Sequence, residues 1–405
     1  MRFNKETVNM KTILYAGIVG VVLLVIIIAS FTSKGSKLEK KNIAFERKAE
    51  EHLYLGEYDK AIEEYTKINT NKEKDNKLLA LKNIDIANAH FLKGDVENYK
   101  KYVQLTKDLK VQDEDIVNKI VFYEYINGDG SQALKDGEEA LKANSKNKSL
   151  VKSMVAIYMA NNKTDKVKEL IKLYGVDKNS AYDIAEYSRL LMMSGDMKGG
   201  FTKLKEAWNL DKDEYKIYDV LAQESAYDLE KVISSIKELQ KNDPNDIAYK
   251  VWLAKVYSLS PEKAKEGLQI LEQLKSKNVG NIEIKLIEAS ILQNMNKHKE
   301  SDRLINEVIQ SNKDDYKALH TAGWFYLNKH DLEKAMEYCK RSIEQNKNYP
   351  DNYAFLMPEI LKSMDKASLA KTYFMTALEK EPYNYNILEN AASFYWDADE
   401  IYIRL

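Results

Sequence analysis

The stretch Leu55-Gly56-Glu57-Tyr58-Asp59-Lys60-Ala61-Ile62-Glu63-Glu64-Tyr65-Thr66-Lys67-Ile68 decides the fold. Gly56 ends one helical pattern. A second opens at Asp59-Lys60, with Ala61, Ile62, Tyr65 and Ile68 on one face at helical spacing. The phrase returns as Asp331-Leu332-Glu333-Lys334-Ala335-Met336-Glu337-Tyr338-Cys339. It returns again between Asp365 and Ala377, with Ala370, Phe374 and Ala377 as a small-large-small seam. A recurring helix-turn-helix is the signature of a stacked array.

The whole chain agrees. Its 405 residues are 44% hydrophobic yet carry only 15 Gly and 5 Pro, too few breakers for anything but long runs of helix joined by short turns. The 62 basic and 63 acidic residues are mixed along the helices, and only six of the basic ones are arginine, so there is no nucleic-acid footprint. The single Cys339 excludes an internal disulfide and any multi-cysteine metal site.

In chain order, residues 1–11 read as a short basic tail, and Thr12 to Phe31 is an uncharged apolar run. At about 1.5 Å per residue that run matches a bilayer's hydrocarbon core, which predicts a retained transmembrane helix over 12–31 and not a cleaved signal. Lysines flank both sides, so the expected localisation is the cell membrane, single-pass, with the array's side nearly tied and a slight lean to extracytoplasmic. Residues 32–41 read as a linker.

From 42 onward the pattern repeats about every 34 residues. Gly56, Gly94-Asp95, Gly128 and Gly195-Asp196 mark turns between paired helices, and small residues such as Ala87, Ala133, Gly200, Ala335 and Ala370 recur at the seams. On these residues the chain resembles the tetratricopeptide repeat family, as a member with an N-terminal anchor from a low-GC bacterium. The resemblance implies an all-α superhelical solenoid of about ten helix pairs with a concave inner wall. The units fall near 42–75, 80–113, 114–147, 148–180, 181–212, 213–246, 247–281, 282–315, 316–350 and 351–384, with a terminal helix over 385–405. The pattern blurs between Asp213 and Ser276, and Pro358 inside a first helix predicts a kink or late start there.

Catalytic constellations are missing from the sequence. The five histidines are scattered, with no i, i+4 pair of them carrying a carboxylate, and Ser149-Leu150-Val151-Lys152 lacks companion motifs. No phosphate loop, HExxH or Cys-x-x-Cys occurs. No enzyme activity, cofactor or metal is expected. The resemblance puts binding on the concave wall, where the register places Tyr54, Phe91, Phe122, Tyr125, Tyr182, Arg189, Met192, Trp324 and Phe355, with Asn88, Gln293 and Asn328 as polar neighbours. Aromatic and Met side chains there would anchor a peptide. The family's Lys-and-Asn carboxylate clamp is not recognisable: Asn88 is in place, but Ile84 stands where the lysine would be. The expected function is a membrane-anchored scaffold or assembly factor for proteins or peptide segments. The alternative is a sensor whose superhelix changes shape on binding a peptide.

Overall fold

The computed structural model describes residues 37–70, 76–275 and 282–397. The tail, the expected membrane span over 12–31 and most of the linker lie outside these. Among the described residues no helix is long and apolar enough to cross a membrane. The expected architecture is therefore corrected to the helical array alone, and a cell-membrane location finds no support in it.

Among the described residues twenty α-helices make up that array, and all but the last read as pairs. The first five pairs are α1 (Lys37–Tyr54) with α2 (Tyr58–Thr66), α3 (Asn76–Lys93) with α4 (Val96–Asp108), α5 (Glu114–Ile126) with α6 (Gly130–Ala143), α7 (Lys148–Ala160) with α8 (Thr164–Ile171), and α9 (Ala181–Met193) with α10 (Met197–Leu210). The sixth is one continuous run, α11 (Tyr215–Asn242), bent at Asp228, whose backbone leaves the helical region. Then come α12 (Ile247–Tyr257) with α13 (Ala264–Lys275), α14 (Ile282–Asn294) with α15 (His298–Ser311), α16 (Tyr316–Asn328) with α17 (Leu332–Gln345), and α18 (Met357–Ser363) with α19 (Ala370–Lys380). The last helix is α20 (Tyr385–Asp397).

A left-handed residue ends the first helix of most pairs. It is Gly56, Gly94, Gly128 and Gly195 in four of them, and Asn162, Asn296, His330 and Asp365 in four others. Glycine and asparagine tolerate that conformation best, which explains their recurrence at one repeat position. An aspartate often follows and caps the next helix: Asp196 Oδ1 accepts from Gly199 N at 2.9 Å, and Asp95 Oδ1 from Asn98 N at 3.2 Å.

The two irregular pairs are the sixth, which turns at Asp228, and the seventh, which turns through Ser260-Pro261 and a short 3-10 segment. Both fall where the sequence pattern blurs. The helical run over 351–363 is unbroken through Pro358, so there is no late start: its opening turn over Asn352–Leu356 is π-helical, and Ala354 O, which the proline cannot serve, accepts from Asn390 Nδ2 at 2.7 Å.

First helices stack on first helices, α3 on α5, α5 on α7 and α9 on α11, and so line one face. Gly137 and Gly200 let neighbouring helices approach closely. A Cβ at either would collide with the side chain of Met154 or Met192.

Candidate functional site

The stacked first helices are tied together by side chains one repeat apart. Lys119 Nζ donates to Asp85 at 3.2 Å, Lys148 to Asp183 at 2.5 Å, Lys317 pairs with Glu283 at 3.1 Å, and Arg189 pairs with Glu224 while its Nε donates to Gln223 at 3.0 Å. These rungs fix the spacing between units and line the wall with charge.

Much of the wall already has an occupant. The second helix of the tenth pair, α19, runs inward across the first helices of the opening units. Thr372 Oγ1 donates to Leu53 O at 3.1 Å, and Thr376 Oγ1 lies 3.1 Å from Tyr54 Oη. Lys371 Nζ donates to Leu92 O, at the C-terminus of α3, at 3.2 Å, and Glu379 lies 4.0 Å from Lys119. Lys152 Nζ donates to Lys380 O at 2.7 Å. The turn after α19 ends on a buried cluster, where Lys216 Nζ contacts Glu381 at 2.5 Å, Asp219 at 2.8 Å and Glu186 at 3.1 Å, and Tyr383 Oη donates to Glu186. Burial alone would pull Lys216 down, but those carboxylates outweigh it and hold its pKa well above the usual range. Glu186 is pushed down to about 2, because Lys216 and Lys152 outweigh its burial.

Further round, unit six meets unit nine. Tyr215 Oη donates to Asn348 O at 3.0 Å, Lys317 Nζ donates to Asp213 O at 2.6 Å, and the Tyr215 ring lies 4.9 Å from that of Tyr349. The array thus closes on itself, with α19 inside.

This closure decides where the expected groove residues stand. Tyr54 faces Thr376 and packs tilted against Tyr373 at 4.8 Å, Phe91 lies under Lys371 at 5.1 Å, and Tyr182 packs 5.9 Å from Tyr215. These three belong to the inner wall, but the chain itself engages them. Phe122, Met192 and Arg189 are buried in the helix packing and are not a free surface: Phe122 lies against Tyr123, Met192 against Gly200, and Arg189 is spent on the rung to Glu224. Tyr125 is half-buried between two core clusters. Sequence reasoning counted register positions and so missed both the rungs and the inward helix. Composition gave no clue to α19: in Ala370–Lys380 the residues Lys371, Thr372, Thr376, Glu379 and Lys380 fall on one side, as in an ordinary amphipathic helix, and it is that side that meets the opening units.

Trp324 and Phe355 stand apart. They line an open cleft over units eight to ten, formed by a cavity of about 840 Å³ and one of about 470 Å³ that share His320 and Trp324. Gln293 and Asn328 line the first, and Asp351 and Asn390 the second. His320 holds the indole in place. Burial pushes its pKa down to about 4, so it is neutral, with Nδ1–H donating to Asn352 Oδ1 at 2.9 Å. Nε2 is then free to accept from Trp324 Nε1 at 3.1 Å. Among the described residues no cluster of His, Cys, Asp or Glu could hold a metal ion, and Cys339 is buried, its thiol pushed up by burial.

No curated protein matches this chain. Solved structures similar to it include a tetratricopeptide repeat protein from Parabacteroides merdae (13% identity, 78% of this chain and 98% of that one, TM-score 0.34) and the anaphase-promoting-complex assembly Cut9–Hcn1 (12%, 89% and 76%, 0.38). Another is yeast Tom70 (13%, 89% and 74%, 0.31). Scores this low carry no argument about this chain. The anchor and the bacterial source expected from sequence gain nothing from them. Residues 316–349, the α16–α17 pair that carries Trp324, match the model of the tetratricopeptide repeat.

Proposed function

We propose that the chain is a non-catalytic scaffold that binds a peptide segment of another protein in the cleft around Trp324 and Phe355. Tetratricopeptide units typically serve protein–protein interaction, and one such unit forms the floor of this cleft. The observation that carries the reading is the Trp324 indole, pinned by a neutral histidine beside an open cavity while α19 covers the inner wall of the opening units. A rigid aromatic with a fixed orientation loses little entropy on binding and makes a good anchor. A sensor that works by tightening fits less well, because an array already closed from unit one to unit ten has little room to contract.

Selection of displayed random peptides on the full chain tests this. Enriched peptides should bind the native chain and lose affinity by about thirtyfold with Trp324→Ala, roughly 2 kcal/mol for a central anchor. Peptides indifferent to both Trp324→Ala and Phe355→Ala would overturn the reading, as would no enrichment at all.

A further inference from the structure

A separate cavity of about 290 Å³ lies at the seam between the array and the inward helix. One wall comes from α1, α2, α3 and α5, the other from the end of α17, the π turn and α19. Five tyrosines line it: Tyr54, whose hydroxyl meets Thr376, and Tyr65, Tyr123, Tyr353 and Tyr373, at 3%, 2%, 5% and 6% exposure. The hydroxyls of the last four have no hydrogen bond among the described residues. Asn88 Oδ1 also lines the cavity region as a fully buried acceptor without a partner. A buried amide oxygen left unpaired costs about 1–3 kcal/mol, and the four partnerless hydroxyls add donors and acceptors to the same lining, so the space suits a polar occupant.

The charges say which kind. On the array wall Lys119 is shared between Asp85 and Glu379, which leaves Glu50 with no ion pair among the described residues. Burial, then Glu46 and Asp85, pushes Glu50 up to about 7 against the pull of Lys119 and Lys347. On the opposite wall Lys347 and Lys380 line the same space and have no ion pair among the described residues either. Lys380 only overlies the Tyr353 ring at 5.7 Å. Unpaired acid and unpaired lysine thus line the same space, together with Leu53, Leu92 and Met375. A purely cationic or purely anionic guest would leave one side uncompensated.

The geometry points to a binding site for a small zwitterion, a free α-amino acid with an apolar side chain. Its ammonium would sit at Glu50 and Asn88, and its carboxylate at Lys347 and Lys380. The tyrosine hydroxyls complete both ends, and the apolar lining takes the side chain. Because the two walls belong to opposite ends of the chain, the guest would bridge them and hold α19 in place. This does not depend on the peptide cleft, whose residues are elsewhere.

Thermal denaturation and calorimetry of the full chain with each free α-amino acid test it. At least one apolar amino acid should raise the melting temperature, as a ligand specific to the folded state must. Its N-acetyl and its carboxamide derivatives should not. Glu50→Gln and Lys347→Met should each weaken binding by about tenfold or more, the size of one charge-assisted hydrogen bond. Equal binding of the blocked derivatives would overturn the assignment, as would no shift with any amino acid. The blocked-ligand comparison uses the native chain, so it stands even if a variant folds poorly.

Discussion

Lys216→Met tests whether the inward segment is held by charge. The Lys216 ammonium is fully buried, among Glu186 at 0%, Glu381 at 1% and Asp219 at 15% side-chain exposure. Lys152, 3.2 Å from Glu186, supplies the second cation of the cluster. Methionine keeps the length of the stem but removes the charge, so Glu381 and Asp219 lose their cation while Glu186 keeps Lys152. Removing one partner of a buried pair costs about 3–5 kcal/mol, because the other charge stays buried. Glu381 is already pushed up by burial and can take a proton, so the loss should fall at the lower end, about 3 kcal/mol. Urea denaturation followed by fluorescence reads it, since Trp208 lies 6.2 Å from Tyr218 on the same helix as Lys216. The double variant Lys216→Met with Glu381→Gln should regain at least about 1 kcal/mol, the sign of direct coupling. A single variant within about 0.5 kcal/mol of the native chain would refute the reasoning, since that is the range of an ordinary surface change.

Two further perturbations bear on the turns and on the cleft. Gly56→Ala places a Cβ at φ +69° and 2.7 Å from Leu369 Cδ2, whereas Gly94→Ala has a similar φ of +84° and open space. Each should cost about 1 kcal/mol from backbone strain alone. Gly56→Ala should cost more, by its contact with the loop before α19, and equal melting shifts would rule that contact out. His320 predicts acid sensitivity. Its native pKa near 4 lies below the unfolded 6.5, so the unfolded chain alone takes the proton between those values. Its contribution is full above pH 6.5 and is lost as pH falls towards 4, about 2 kcal/mol of it between pH 7 and pH 5. Urea midpoints at pH 7 and pH 5 should differ less in His320→Gln than in the native chain; the same difference in both would remove His320 from the account.

The helix pairs were legible because their turns obey local rules. Gly56, Gly94 and Gly195 are at left-handed positions that disfavour other residues, and Asp95 and Asp196 each cap the second helix of their pair, so the sequence shows each boundary directly. Asn162 and Asn296 do the same work less visibly. The blur after Asp213 has a local cause too, since Asp228 turns the chain in extended backbone with no glycine. The closure was not legible. Thr372 with Leu53, Lys152 with Lys380 and Lys216 with Glu381 are between 165 and 319 residues apart, and no repeat period encodes such pairs. For the same reason the register placed Trp324 and Phe355 in an open cleft and Tyr54 and Phe91 under α19 without distinguishing them. The 34-residue rungs, such as Lys119 with Asp85 and Lys317 with Glu283, were open to reading, since opposite charges recur there at one repeat's spacing.

The central claim is that the chain's own α19 fills the inner wall of the first units. Hydrogen exchange of the amides of Ala370–Lys380 in the intact chain tests it most directly. A helix buried by Tyr54, Lys119 and Lys152 opens only when the array does, so its amides should be protected as strongly as those of α5 and α7. Exchange of α19 at the rate of a fraying terminal helix, with α5 and α7 still protected, would contradict the account.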